Sequence, residues 1–207
     1  MINTTQQGGL FVHEIIEKIT TRHTIRCFQQ RQIEDEVLEQ ILQAGLYAPS
    51  AGNNQRARIV VCQDPEINLE LGKLNRSAFF EGMPAGKTPK PVSSEQPSIR
   101  DDLTIMNGFY GAPTVLTIFA LDMQYSHDDA AMIAENVMLA AHFLDVGSCY
   151  VGRADKTFDC EYGQNLRKKW GIEDDLIPVC HVCLGYREGP VPNAKPRKPE
   201  RIIFVKQ

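Results

Sequence analysis

Ala48-Pro49-Ser50-Ala51-Gly52-Asn53-Asn54-Gln55 stands between two segments of opposite character. Upstream, Val37, Leu38, Ile41, Leu42 and Leu46 recur at helical spacing; downstream, the apolar run Ile59 to Cys62 reads as a strand. The stretch is therefore a helix-to-strand junction. Pro49 forbids continued helix, Gly52 permits a positive φ, and Ser50, Asn53, Asn54 and Gln55 crowd four hydrogen-bonding side chains into six residues. A turn needs less polar capacity than that. An ordinary turn rich in Ser, Asn and Gly remains the plain alternative on this window alone.

A second stretch, Arg22-His23-Thr24-Ile25-Arg26-Cys27-Phe28, lies further upstream. In extended chain Arg22, Thr24 and Arg26 share one face. Two guanidiniums flanking a hydroxyl suit a phosphate, since Arg meets phosphate bidentately and Thr adds a neutral donor. The plain alternative is a solvated basic strand.

The 207 residues, 43% of them hydrophobic, suffice for one domain spanning 1–207 with a substantial core. A net charge of −4 gives no electrostatic reason to expect nucleic acid or an anionic membrane as partner. No apolar stretch reaches the ~20 residues that span a bilayer, and Met1 to Gln7 lacks the features of a signal peptide, so a cytoplasmic protein is expected. Six cysteines are then expected to be reduced thiols. Cys180-His181-Val182-Cys183 has the spacing of half a metal site or a redox motif, but no second pair accompanies it and it lies in the apolar run Ile177 to Leu184, where core thiols are the simpler reading.

Taken in order, residues 1–9 read as a loose polar arm, and Phe11, Val12, Ile15, Ile16 and Ile19 as one helical stripe ending before Arg22. Glu34, Asp35 and Glu36 open the helix that delivers the chain to Ala48. A strand over 57–62 and a short helix over Pro65 to Leu74 follow. Residues 75–102, with two glycines, four prolines and no period, are expected to form a surface excursion or lid. Thr114 to Leu121 is β-branched and apolar, as a central strand is. Asp128 to Asp145 reads as a helix buried on most sides, Thr157 to Trp170 as a helix closed by Gly171, and 177–184 as a strand ending at Gly185. His142 and His181, both in apolar settings, are expected to be core histidines. The tail from Arg187 to Arg201 carries five basic residues against two acidic ones, a local excess of +3 that asks for an anion.

Together the Arg22-His23-Thr24-Ile25-Arg26 and Ala48-Pro49-Ser50-x-x-Asn53-x-Gln55 segments resemble the N-terminal signature of the nitroreductase family of FMN-dependent enzymes. Gly147-Ser148-Cys149-Tyr150-Val151-Gly152 resembles the family's glycine-rich segment beside the flavin, and Lys195-Pro196-Arg197 its C-terminal Lys-x-Arg. The resemblance covers nearly the whole chain. It implies an α+β fold, a three-layer α/β/α sandwich with a central mainly antiparallel sheet, working as a homodimer with FMN at the subunit interface. In that arrangement Arg22, His23, Thr24, Arg26, Lys195 and Arg197 of one chain would hold the phosphate. Val151 and Gly152 would approach the ring through their backbone, and Pro49, Ser50, Ala51 and Asn53 of the other chain would touch it. The implied chemistry is oxidation of NADH or NADPH and reduction of a small electrophile such as a nitroaromatic or quinone. No side chain recommends itself as a catalytic acid, base or nucleophile. Where many family members follow the signature Gln with Pro-Trp, this chain has Arg56-Ala57. Two rival readings stay open: a flavin-binding module without turnover, and a metal-binding protein using Cys180 and Cys183.

Overall fold

The computed structural model describes residues 4–7, 10–82, 96–192 and 196–206. Its centre is a sheet ordered β3-β4-β6-β5 from Arg58–Cys62 (β3), Thr114–Leu121 (β4), Gly147–Val151 (β5) and Leu176–Gly185 (β6), antiparallel at every pairing. Two layers of helices cover it. On one face Leu116, Ile118, Cys180, Val182 and Leu184 meet Ile41 of α2 (Asp35–Leu46) and Ala134, Val137 and Ala141 of α4 (Ser126–Phe143). The other face sets Val115, Phe119, Cys149 and Cys183 against Leu71 of α3 (Pro65–Glu81), Phe158 and Leu166. The expected three-layer α+β sandwich is the one observed, and β-strand alternation explains the split of each strand between two cores.

Close packing sets the α2–α4 crossing. A Cβ on Gly45 would come within 2.8 Å of Val137 Cγ2, so only glycine lets the two helices approach this far. The crossing carries the chain straight into the Ala48 junction.

Several elements differ from the sequence reading, each for a local reason. The amino-terminal segment forms a hairpin, Thr4–Gln7 (β1) against Leu10–His13 (β2), and the first helix, α1, starts only at Glu14. His13 ends the strand and caps the helix, its Nδ1 accepting from Ile15 N at 3.3 Å. α3 runs to Glu81 rather than Leu74 because Asn75, fully buried, has polar partners inside the fold. The lid expected over 75–102 thus begins as helix, and its middle, 83–95, lies outside the described residues. The helix expected over 157–170 divides into α5 (Ala154–Thr157) and α6 (Glu161–Lys169), with Cys160 extended between them.

α1 buries none of its side chains in this chain, and Ile15, Ile16 and Ile19 are exposed. The same is true of Ile203 and Val205 in the tail, 87% and 94% exposed. Among the described residues no helix is long and apolar enough to cross a membrane, and all six cysteines are free.

Candidate active site

Strand β5 is an edge of the sheet, and the Arg22 segment is laid along it. Thr24 bridges to Ser148 in parallel, and Ile25 N donates to Ser148 O at 2.9 Å. Gly147 permits this closeness, since a Cβ there would meet Ile25 Cγ2 at 2.9 Å. Two clefts open along β5, one on each side of this contact.

The first, of about 200 Å³, is lined by His23, His142, Asp145, Gly147, Ser148 and Arg187 among others. Its lining holds one cation, Arg187, and one carboxylate, Asp145, with Lys18 and Arg22 nearby. Burial, and then the nearby Lys18, His23 and Arg22, hold His142 below the usual imidazole range. Its Nε2 lies 3.2 Å from Thr21 Oγ1. His142 is thus half-buried at a cleft, not the core histidine expected from its apolar helix. Arg187, which the sequence placed only in a basic tail, also lines this cleft, brought there because Phe28 and Arg187 form a bridge.

The second cleft, of about 220 Å³, brings together Arg26, Phe79, Arg100, Tyr110, Gly152 and Arg153, with Cys149 and Val151 behind them. Arg26 lines this cleft and His23 the first, whereas Arg22 and Thr24 line neither, Arg22 lying near enough to act on both His142 and Cys149. Its backbone N–H donates to Gln96 Oε1 at 2.7 Å and its guanidinium lies 5.5 Å from the Tyr110 ring centroid. Arg26 Nε and Arg153 Nε are buried without a hydrogen-bond partner. A Cβ on Gly152 would touch nothing within 4 Å, so the backbone there faces open space. Asn75 anchors it from behind, donating to Gly152 O at 2.8 Å. Burial pushes the Cys149 thiol up, so it is a packing group and not a thiolate.

A third, open cleft of about 490 Å³ is lined by Pro49, Ser50, Ala51, Gly52, Tyr125, Asp128, Asp129 and Met132. It shares no lining residue with the other two. The junction coils tightly, with Gly52 at φ 61°, Asn53 at 52° and Gln55 at 49°. Asparagine tolerates this region because its amide bonds locally, and Asn53 Oδ1 accepts from Gln55 Nε2 at 3.0 Å. Asn54, expected only as one of the junction's hydrogen-bonding side chains, donates to Ala51 O and to Asp129 Oδ2. No signal in the sequence couples Asp129 to this turn.

In the tail, Lys195 lies outside the described residues, and Arg197 lines a cavity made only of residues 197–202. Within one chain it does not join the first cleft. Cys180 and Cys183 belong to opposite faces of β6, one in each core, so their thiols cannot share a metal from this strand. His181, also on β6, is fully buried with Thr117 Oγ1 3.0 Å from its Nδ1, as a core histidine should be.

The sequence matches the model of the nitroreductase family over residues 19–186. The chain belongs to that family. The match takes in the Arg22 and Ala48 segments, all four strands of the central sheet and the whole lining of the second cleft, and stops just short of Arg187 in the first. A nitroreductase relative from Archaeoglobus fulgidus, assigned provisionally as an NADH dehydrogenase/NAD(P)H nitroreductase, is 30% identical over 84% of this chain and 86% of its own length. An NADPH-flavin oxidoreductase of Vibrio harveyi is 26% identical over 93% of this chain and 73% of its own. In fold, the chain resembles a nitroreductase of Bacteroides fragilis crystallised with FMN, at a TM-score of 0.76 and 24% identity over 94% of this chain and all of that one. One from Desulfitobacterium hafniense, also with bound FMN, gives 0.77 at the same identity and coverage. Against the family pattern, Arg56 is directed away from the junction: it pairs with Asp175 at 2.8 Å and lines none of the three clefts.

Proposed function

We propose that this nitroreductase-family chain is an FMN-dependent oxidoreductase that draws on NADH or NADPH and reduces a small electrophile such as a nitroaromatic or quinone. The observation that carries the reading is the pair of adjoining clefts on one strand. Gly147 and Ser148 line a cavity together with His23 and Arg187, and Cys149 to Gly152 line the next, which has open backbone and a buried arginine nitrogen, Arg26 Nε, without a partner. A ligand with an anionic end and a planar, hydrogen-bonding end fits such a pair, and FMN is of that form. Arg22, His23 and Thr24, joined by Arg187, would hold the phosphate. Val151 and Gly152 would approach the ring through their backbone, and the unpartnered Arg26 Nε would meet its electron-rich edge.

When bound, FMN supplies hydride acceptance and donation. The chain's own residues bind and orient it, and a second copy completes the site. Pro49, Ser50, Ala51 and Asn53 are set apart from both β5 clefts within one chain, which supports their service to a partner's ring in a homodimer. The uncovered apolar stripe of α1 and the tail from Ile202 to Val205 support the same assembly. Lys195 and Arg197 would then add their charge to the phosphate once the tail is seated. The reduced thiols fit a cytoplasmic setting.

The test is direct. The purified protein should carry the visible absorption of oxidised flavin, release FMN on denaturation, and sediment as a dimer. Steady-state kinetics with NADH or NADPH should be ping-pong, since donor and acceptor use one ring face in turn. Flavin without turnover would favour the non-catalytic module instead, and a flavin-loaded monomer would reject the shared site.

A further inference from the structure

Two guanidinium groups lie over the Phe79 ring, with Arg153 Cζ 5.1 Å and Arg100 Cζ 5.9 Å from its centroid. All three line the cleft at Gly152, and none of the twelve residues lining it is acidic. Neither arginine makes a salt bridge among the described residues. Asp155 acts on Arg153 only from a distance.

Arg153 is held there at some expense. Its backbone is left-handed, at φ 66°, a conformation that glycine adopts freely and arginine does not. Burial pulls its guanidinium below the usual arginine range, its Nε has no partner, and one terminal nitrogen donates to Asn75 Oδ1 at 3.2 Å. Asn75 is itself fixed, fully buried and bonded to Gly152 O and Thr157 Oγ1. A strained, desolvated cation with unmade bonds, aimed into a cleft beside a second cation, is an anion receptor awaiting its anion. The Phe79 and Tyr110 rings beside it suit a flat ligand.

We propose that the acceptor taken at this cleft is a small planar anion, of the class of aromatic carboxylates bearing a nitro or quinone group, its carboxylate received by Arg153 and Arg100. Arg26, deeper beside Cys149 and Tyr110, is left to the cofactor. The proposal rests on the flavoenzyme reading of the same cleft and narrows its substrate.

Two acceptors that differ in one charge provide the test, 4-nitrobenzoate and 4-nitrotoluene, each with NADH and with NADPH on the FMN-loaded protein. The expected result is a KM for 4-nitrobenzoate at least ~10-fold below that for 4-nitrotoluene. Arg153→Gln and Arg100→Gln should each raise the former about 10- to 100-fold and move the latter less than about 2-fold, the scale of one charge-assisted hydrogen bond. Benzoate, which cannot be reduced, should perturb the flavin absorption of the wild type, and each variant should bind it correspondingly more weakly. Equal handling of the two acceptors by the wild type would overturn the proposal, as would equal losses on both in the exposed Arg100→Gln variant. A change confined to NADPH would assign the arginines to the nucleotide phosphate and overturn it too. Failure of the underlying reading has a separate sign: no flavin band, or no turnover of 4-nitrotoluene with either nucleotide. Benzoate binding measured by calorimetry would then still decide whether the receptor exists.

Discussion

The Asp129 carboxylate accepts the Ala51 backbone N–H at 2.8 Å, and so ties the first turn of α4 to the junction that follows α2. Its second oxygen accepts from Asn54 Nδ2 at 3.3 Å, and the side chain is almost wholly buried. Hydrogen bonds to a charged group contribute about 1.5–3 kcal/mol each. Asp129→Ala should therefore lower unfolding free energy by about 2–4 kcal/mol in a urea titration, a range set by the two lost bonds and partial access of water. Asp129→Asn, which keeps an acceptor for Ala51, should lose less. Equal losses in the two variants would show that a neutral acceptor at this position does not hold the turn.

Phosphate contacts and ring contacts can be told apart with riboflavin, which lacks the phosphate. Arg22→Ala and Arg187→Ala should weaken FMN binding about 10- to 100-fold and leave riboflavin nearly unchanged, whereas Arg26→Ala should weaken both flavins alike. Fluorescence titration of the apoprotein measures all three. If Arg26→Ala spared riboflavin, Arg26 would belong with the phosphate after all.

Gly163 sits inside α6, where alanine is intrinsically the better residue by about 1 kcal/mol. Tertiary contact reverses that preference. A Cβ on Gly163 would stand 2.6 Å from Phe158 Cα, an approach to backbone that no side-chain rotation relieves. Gly163→Ala should be destabilising by about 1–3 kcal/mol, the usual cost of overpacking, and the melting temperature should fall rather than rise.

His181 is fully buried between Phe109 and Phe158, and burial pushes its pKa down to about 3, with Arg153 adding to the shift. The fold therefore holds it neutral. In the unfolded chain it takes a proton near pH 6.5, so the unfolded state binds more protons below that value and stability falls as pH drops from there toward 3. Each pH unit in that window should cost about 1.4 kcal/mol from this group alone. His181→Gln, which keeps a polar partner for Thr117, should show a shallower decline between pH 6.5 and 5 than the wild type. Parallel declines would mean that His181 is protonated in the fold.

Much of this architecture was legible before any coordinates. Thr114 to Leu121 and residues 177–184 were readable as strands because a strand covered on both faces must be apolar throughout, and Asp128 to Asp145 as a helix buried on most sides because it is apolar nearly all round. The Arg22, Ala48 and Gly147 segments were legible as candidate contacts because each concentrates donors or glycine where local structure needs neither. The tertiary structure alone decided how those contacts are grouped. Within the Arg22 segment, His23 and Arg26 line different cavities once the segment is pinned to Ser148, a contact across more than a hundred residues that no local pattern encodes. For the same reason Asp129 and Arg153 carried no local signal, and Arg187 showed only as part of a basic tail. Their partners are the Ala51 turn, the Phe28 bridge and Phe79 on α3, and only packing brings these within reach.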